Sequence, residues 1–241
     1  MEKLEKFQIL ISCLFITLAL LISSFIFASK IQNGESITVT GSAFKIVKSD
    51  SAKLNFNLNA RATNQKTTYA IIKKQLPIVI NYLKEQGIEE KNITIKTING
   101  YEIYKQNDRG YSTQEIIAHS ANQGLEITSN DVEKIKNLSI NLQDLINQGI
   151  NIEVFQPEYF YSDLASIKID LLKEATEDAK DRATSMLKAT KARVGKVKSM
   201  RMGVFQITPV DSNSVSNMGI NDTSSIDNKV TAVANVVFKV K

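Results

Sequence analysis

Apolar and polar residues alternate along much of the chain, most clearly from Ala52 to Arg61. Ala52, Leu54, Phe56, Leu58 and Ala60 interleave with Lys53, Asn55, Asn57, Asn59 and Arg61. Such alternation puts one set on a buried face and the other in water, which predicts a half-buried strand. Ile37 to Ile46, rich in β-branched residues, predicts a strand just before it. The turn Lys48-Ser-Asp-Ser51 between them predicts an antiparallel hairpin.

The spacing then changes to that of a helix. Tyr69, Ile72, Leu76, Val79, Ile80 and Leu83 share one face of a helix expected from Thr63 to Gln86. Gly87 is placed to end it, and Pro77 inside it should kink it or remove a backbone bond. Ile93 to Lys105 and Gln114 to Thr128 predict a second strand pair around the polar turn Gln106 to Gly110. A second helix is expected from Asp131 to Gln148, with Asn130 and Glu133 as a capping box and Gly149 as its stop. Ile150, Ile152 and Val154 begin another strand, with Pro157 near its far end.

The third helix, Asp163 to Ala192, is the longest expected. Leu164, Ile167, Leu171, Ala175, Ala179, Ala183, Met186, Leu187 and Thr190 track one stripe, and Gly195 follows. Val197 to Ile207 predicts a strand. Residues 208–228, poor in large apolar side chains, predict a long mobile loop. Val230 to Lys241 closes the chain as a strand, with Val230, Ala232, Ala234, Val236, Phe238 and Val240 on one face. The order is ββ-α-ββ-α-β-α-ββ. It predicts an α+β fold: a mainly antiparallel sheet with helices packed on one face.

The N-terminus adds a different element. Ile9 to Ala28 carries no charge and, as a helix, would reach ~30 Å, enough to cross a bilayer. Lys3 and Lys6 precede it, so residues 1–8 are expected in the cytoplasm and residues 35–241 outside, after a linker at 29–34. The run is longer than a usual signal peptide core, and Ile26 and Ala28 make a poor cleavage site, which favours a retained anchor. Cleavage would instead release a soluble exported form. Cys13, the single cysteine, sits inside this run, so the domain outside has no disulfide and no thiol chemistry.

Composition supports a globular domain: 43% of residues are hydrophobic and 23% charged, enough apolar material for a core. The net charge of +5 is modest. Its densest patch is Lys188, Lys191, Arg193, Lys196, Lys198 and Arg201. That patch reads as the cationic end of a helix running into a solvated strand, so no nucleic-acid partner is expected.

Candidate chemistry is sparse. His119 is the only histidine, and no serine lies in a Gly-x-Ser-x-Gly elbow. No second histidine or exported cysteine exists to build a transition-metal site. Asp170, Glu174, Glu177, Asp178 and Asp181 crowd the third helix, yet Lys173–Glu177 and Asp178–Arg182 have ion-pair spacing. They read as a solvated face. No Walker loop or Gly-x-Gly-x-x-Gly occurs. No catalytic, cofactor-binding or metal residue is therefore expected. Two aromatic groups, Tyr101, Tyr104 and Tyr111, and Tyr159, Phe160 and Tyr161, are candidates for an interface.

Several stretches occur in an order that carries a resemblance. They are Ile37-Thr-Val-Thr-Gly-Ser42, then Asp50 leading into the alternating strand, and Gly87-Ile-Glu-Glu-Lys-Asn-Ile-Thr94 with Tyr101 and Tyr104 beyond. The alanine-punctuated helix ending at Arg193-Val-Gly-Lys-Val197 and the strand Lys229 to Lys241 complete the set. Together they resemble the SIMPL-domain family over nearly all of residues 35–241. Pro77 and the lack of a Gly-Glu turn in the loop from Thr208 depart from the family pattern. The resemblance implies an exported or envelope-associated protein in bacteria, in some cases tied to oxidative stress. It also implies self-assembly, since some relatives form large rings, while a eukaryotic namesake is a signalling adaptor. No agreed enzymatic activity comes with it. The expectation is a membrane-anchored, self-assembling module of the cell envelope, in the periplasm or at the cell surface. The alternative is a monomeric extracytoplasmic domain that binds one partner protein or small ligand.

Overall fold

The structure is a computed structural model that describes residues 14–24 and 35–241. Residues 1–8, both ends of the expected span 9–28 and the linker 29–34 lie outside the described residues. Residues 14–24 form a helix, α1. No helix among the described residues is long and apolar enough to cross a membrane.

The remaining elements are β1 (Ser36–Lys48), β2 (Ser51–Ala62), α2 (Gln65–Glu85), β3 (Ile93–Gln106), β4 (Ser112–Ser129), α3 (Val132–Asn141) and α4 (Asp144–Asn147). They are followed by β5 (Ile152–Val154), β6 (Glu158–Phe160), α5 (Leu164–Ala189), β7 (Val194–Met202), β8 (Gln206–Pro209), β9 (Ile220–Asn221) and β10 (Asp227–Val240). The fold is α+β with largely antiparallel sheets, as expected, but the strands divide between two sheets rather than forming one. One has the order β3-β4-β2-β5, with β6 also on β2; the other has β1-β10-β8-β9, with β7 also on β10. β8 and β9 pair in parallel.

The expected hairpin of β1 with β2 does not form, because the two strands belong to different sheets. The connecting residues are spent elsewhere. Ser49 N–H donates to Ile226 O and Asp50 N–H to Phe160 O. The Asp50 carboxylate accepts from the Ser162 N–H and hydroxyl. β2 pairs instead with β4, from Ala52 opposite Ser129 to Ala62 opposite His119.

The chain forms two compact units. The larger comprises Phe44–Leu171 and Val204–Ala232. Its core lies where α2 and α3 cover the inner face of β2 and β4. Ala52, Leu54, Phe56, Leu58 and Ala60 are buried there, as the alternation predicts. Asn64 caps α2 by accepting from Thr67 N–H, and Gly87 ends it at φ 74. α2 runs unbroken through Pro77. The cap of α3 is Asp131, which accepts from Lys134 N–H, one residue later than the expected Asn130. The second helix is also shorter than expected: it breaks after Asn141, and α4 resumes for one turn before Gly149 at φ 78. Leu142 and Leu145 are fully buried across the break, so burial of both leucines overrides helical continuity.

Residues 208–228 are not simply a loop. Thr208 is buried within β8, and β9 lies inside the segment. Asp222 N–H donates to Ile207 O, and Gln206 both donates to and accepts from the Ser216 backbone. Hydrophobicity missed this because side-chain and backbone polar groups hold the segment. The expected strand 197–207 likewise splits into β7 and β8.

The smaller unit comprises the described residues up to Ala43, Leu172–Gly203 and Val233–Lys241. Ala175, Ala179 and Ala183 of α5 are fully buried, as the stripe predicts. Met186 and Thr190 fall off that stripe and are exposed. Gly41 of β1 lies so close to α5 that a Cβ there would run into Ala175 O and the Ala179 backbone. Small residues on both sides are therefore what this packing needs.

Candidate functional site

The β3–β4 hairpin is built locally. Asn107 Oδ1 accepts from the N–H groups of Arg109 and Tyr111, and Gly110 takes φ 80, which closes the tip. β2 ends opposite His119, so beyond that point the hairpin is a ribbon of two strands. Register shifts after Ile103 and Tyr104 fall within this ribbon. Two-stranded ribbons are marginal in water on their own. This one also exposes Tyr104, Tyr111, Ile116 and Ile117.

At the root of the ribbon, Tyr101, Tyr104, Glu102, His119 and Gln65 line a cleft of about 380 Å³. The Tyr104 hydroxyl donates to Glu102, and that bond, with the charge behind it, pushes the phenol above its ordinary pKa. Gly100 also lines the cleft, and a Cβ there would meet the Tyr69 ring at 2.9 Å. His119 is half-buried, and its carbonyl accepts from the Thr68 hydroxyl. The structure thus brings Tyr101 and Tyr104 together with the single histidine.

The second aromatic group does not hold together as a surface. Tyr159 is buried in the core, where burial and then the nearby Glu133 raise its pKa. It is corrected from interface to core residue: the short strand β6 pairs it opposite Ala52 and turns its ring inward. Tyr161 is half-buried, and Phe160 is more exposed. Phe160 borders a second cleft, of about 490 Å³, with Lys53, Glu89, Lys91, Asn92 and Asp131. Lys53 Nζ lies 5.9 Å from the Phe160 ring centre and 3.8 Å from Glu126. Lys91 pairs with Glu89 at 2.6 Å and holds that exposed carboxyl below its ordinary range. Two lysines face two carboxylates, so this cleft favours neither anions nor cations by net charge.

The acidic face of α5 is partly structural. Asp178 pairs with Arg182 at 2.7 Å, as the spacing predicts, while Lys173 and Glu177 do not pair. Asp178 also accepts from Ser42 N–H at 2.8 Å, which the sequence did not reveal because Ser42 is 136 positions away. Among the described residues, no three His, Cys, Asp or Glu side chains come together. Lys191 takes φ 61 at the end of α5, and Arg193 exchanges backbone hydrogen bonds with Lys241, so the basic segment is tied into the fold.

A domain of antiparallel sheets with helices on its core and an exposed aromatic ribbon defines the class. The particular family follows from comparison. Residues 37–238 match the family model described as SIMPL, protein of unknown function (DUF541), and the chain belongs to that family. No curated protein matches it.

Proposed function

We propose that this chain is a membrane-anchored, extracytoplasmic SIMPL protein that acts by self-assembly and surface contact in the cell envelope, in a stress-related role. The observation that carries the reading is the β3–β4 ribbon, with Tyr104, Tyr111, Ile116 and Ile117 exposed on an element that has little support of its own. Exposed apolar patches of this kind mark contact surfaces. The uncharged run Ile9–Ala28 supports the anchor. The test is the mass of the full chain in mild detergent, by size exclusion with light scattering. Self-assembly predicts a discrete multiple of the 26.8 kDa chain at micromolar concentration. A species at one chain mass removes the reading.

A second reading is a monomeric domain that binds a small polar ligand. The charge-balanced cleft at Lys53, Asn92 and Phe160 favours it. It gains ground if the chain is monomeric and Asn92→Ala abolishes binding of an envelope extract component.

A further inference from the structure

The elements of the smaller unit meet at one end, around the start of β1. Val240 N–H donates to Glu35 O at 2.8 Å, and Arg193 and Lys241 exchange backbone hydrogen bonds at 2.8 and 2.9 Å. α5 reaches the same end: Ala192 N–H donates to Leu187 O, and β7 begins at Val194. Lys188, Lys191, Arg193, Lys196, Lys239 and Lys241 are all exposed there. No Asp or Glu occurs in 36–48, 182–202 or 228–241, so among the described residues of this unit Glu35 is the acidic side chain at this end. The carboxylates of α5 in the unit stop at Asp181, seven residues before Lys188, or about 10 Å along the helix. A helix C-terminus attracts cations, which accounts for Lys188 and Lys191. It does not account for the cations that β7 and β10 add beside them.

We infer that this basic end rests on the anionic phospholipid head groups of the membrane that holds the N-terminal segment. The inference rests on the anchored reading of Ile9–Ala28 and gives the tethered domain an orientation. Chain connectivity favours this surface over other polyanions. Only residues 29–34 separate that segment from Glu35, and six residues span at most about 20 Å. The basic end is thus the part of the smaller unit that the tether keeps beside the bilayer. A tether makes the encounter intramolecular, so charge need only orient the unit and not recruit it. Each Lys or Arg close to an anionic bilayer is worth about fivefold in affinity. The attraction fades within about 8 Å at physiological salt, so it selects the cations nearest the surface. Glu174, Glu177, Asp178 and Asp181, further back on α5, are repelled by the same surface, which reinforces the orientation.

The test reconstitutes the full chain into vesicles of phosphatidylcholine alone or with about a third phosphatidylglycerol, the anionic lipid. Acylation rates of individual lysines are read by mass spectrometry, with the exposed Lys73 and Lys74 of α2 as the reference. Lys188, Lys191, Lys196, Lys239 and Lys241 should react about threefold or more slowly in the anionic bilayer than in the neutral one. Salt at about 0.5 M, which shortens the screening length to about 4 Å, should remove the difference. Lys188→Glu, Lys196→Glu and Lys239→Glu together should return Lys191 and Lys241 to their neutral-bilayer rates, with circular dichroism confirming the fold. Equal rates in the two bilayers overturn the lipid contact and leave the anchor standing. Protection that survives the triple substitution overturns a contact made by charge. Protection already present in detergent means that another copy covers this end, and it overturns the inference too. A chain that alkaline carbonate strips from both bilayers overturns the anchored reading itself.

Discussion

Gly41 and Asp178 show how single residues hold the smaller unit. Gly41 lies against Ala175 and Ala179, leaving no room for a methyl group. Gly41→Ala should therefore cost about 3 kcal/mol or more, and Ala179→Leu about 1–3 kcal/mol, as overpacking does. Thermal melts check both, and unchanged midpoints would mean the helix packs elsewhere. The spacing of alanines on α5 made its buried stripe legible in advance. Nothing in the sequence said that a glycine on β1 would meet it, since that contact depends on strand placement. Asp178 carries the opposite lesson. As a charged residue on a helix it read as solvated, yet Ser42 N–H, and to a lesser degree Arg182, favour its ionised form and hold its pKa below the ordinary range. A depressed carboxylate contributes stability above its unfolded pKa of about 3.9 and loses it as pH falls through the folded value. Asp178→Ala should cost about 1 kcal/mol near neutral pH, the size of a partly exposed charged hydrogen bond. The gap between wild type and variant should shrink as pH falls from neutral to well below the unfolded pKa of about 3.9. Denaturant midpoints at the two pH values decide it, and an equal gap at both would exclude an ionic anchor.

Among the elements, α2 keeps a proline in its interior at a cost. Pro77 cannot donate to Lys73 O, and its ring crowds that carbonyl. It is exposed, so no core contact compensates. Pro77→Ala should stabilise the protein by about 1–3 kcal/mol, less whatever the freer unfolded chain takes back. A lower melting temperature would show that the proline shapes a contact. Helix ends and periodic strands were legible: Gly87 and Gly149 both take positive φ where stops were expected. Short polar-held elements were not. β8 and β9 rest on Gln206, Asp222 and backbone bonds, which leave no periodic apolar trace.

For the whole molecule, the proposed N-terminal anchor makes the most direct prediction. The chain should stay with membranes through alkaline carbonate extraction and keep its N-terminal methionine. Recovery of a soluble form beginning near Ser29 would mean that the segment is cut. The exposure of the aromatic groups was half legible. Tyr101, Tyr104 and Tyr111 do stand exposed on the hairpin, whereas Tyr159 went into the core. An aromatic residue in a three-residue strand has no alternation to report its face, so β6's pairing with β2 made that choice.

By itself the sequence determined what depends on near neighbours. The alternation of β2, the apolar faces of α2 and α5, the polar tip of the β3–β4 hairpin and the long uncharged N-terminal run are all local patterns. Tertiary structure decided which strand meets which. β1 and β2 are separated by two residues, yet their hydrogen bonds go to β10 and β4. Backbone donors and acceptors are alike at every residue, so pairing is settled by which faces can be buried together. That competition runs over the whole chain, and no local pattern records its outcome.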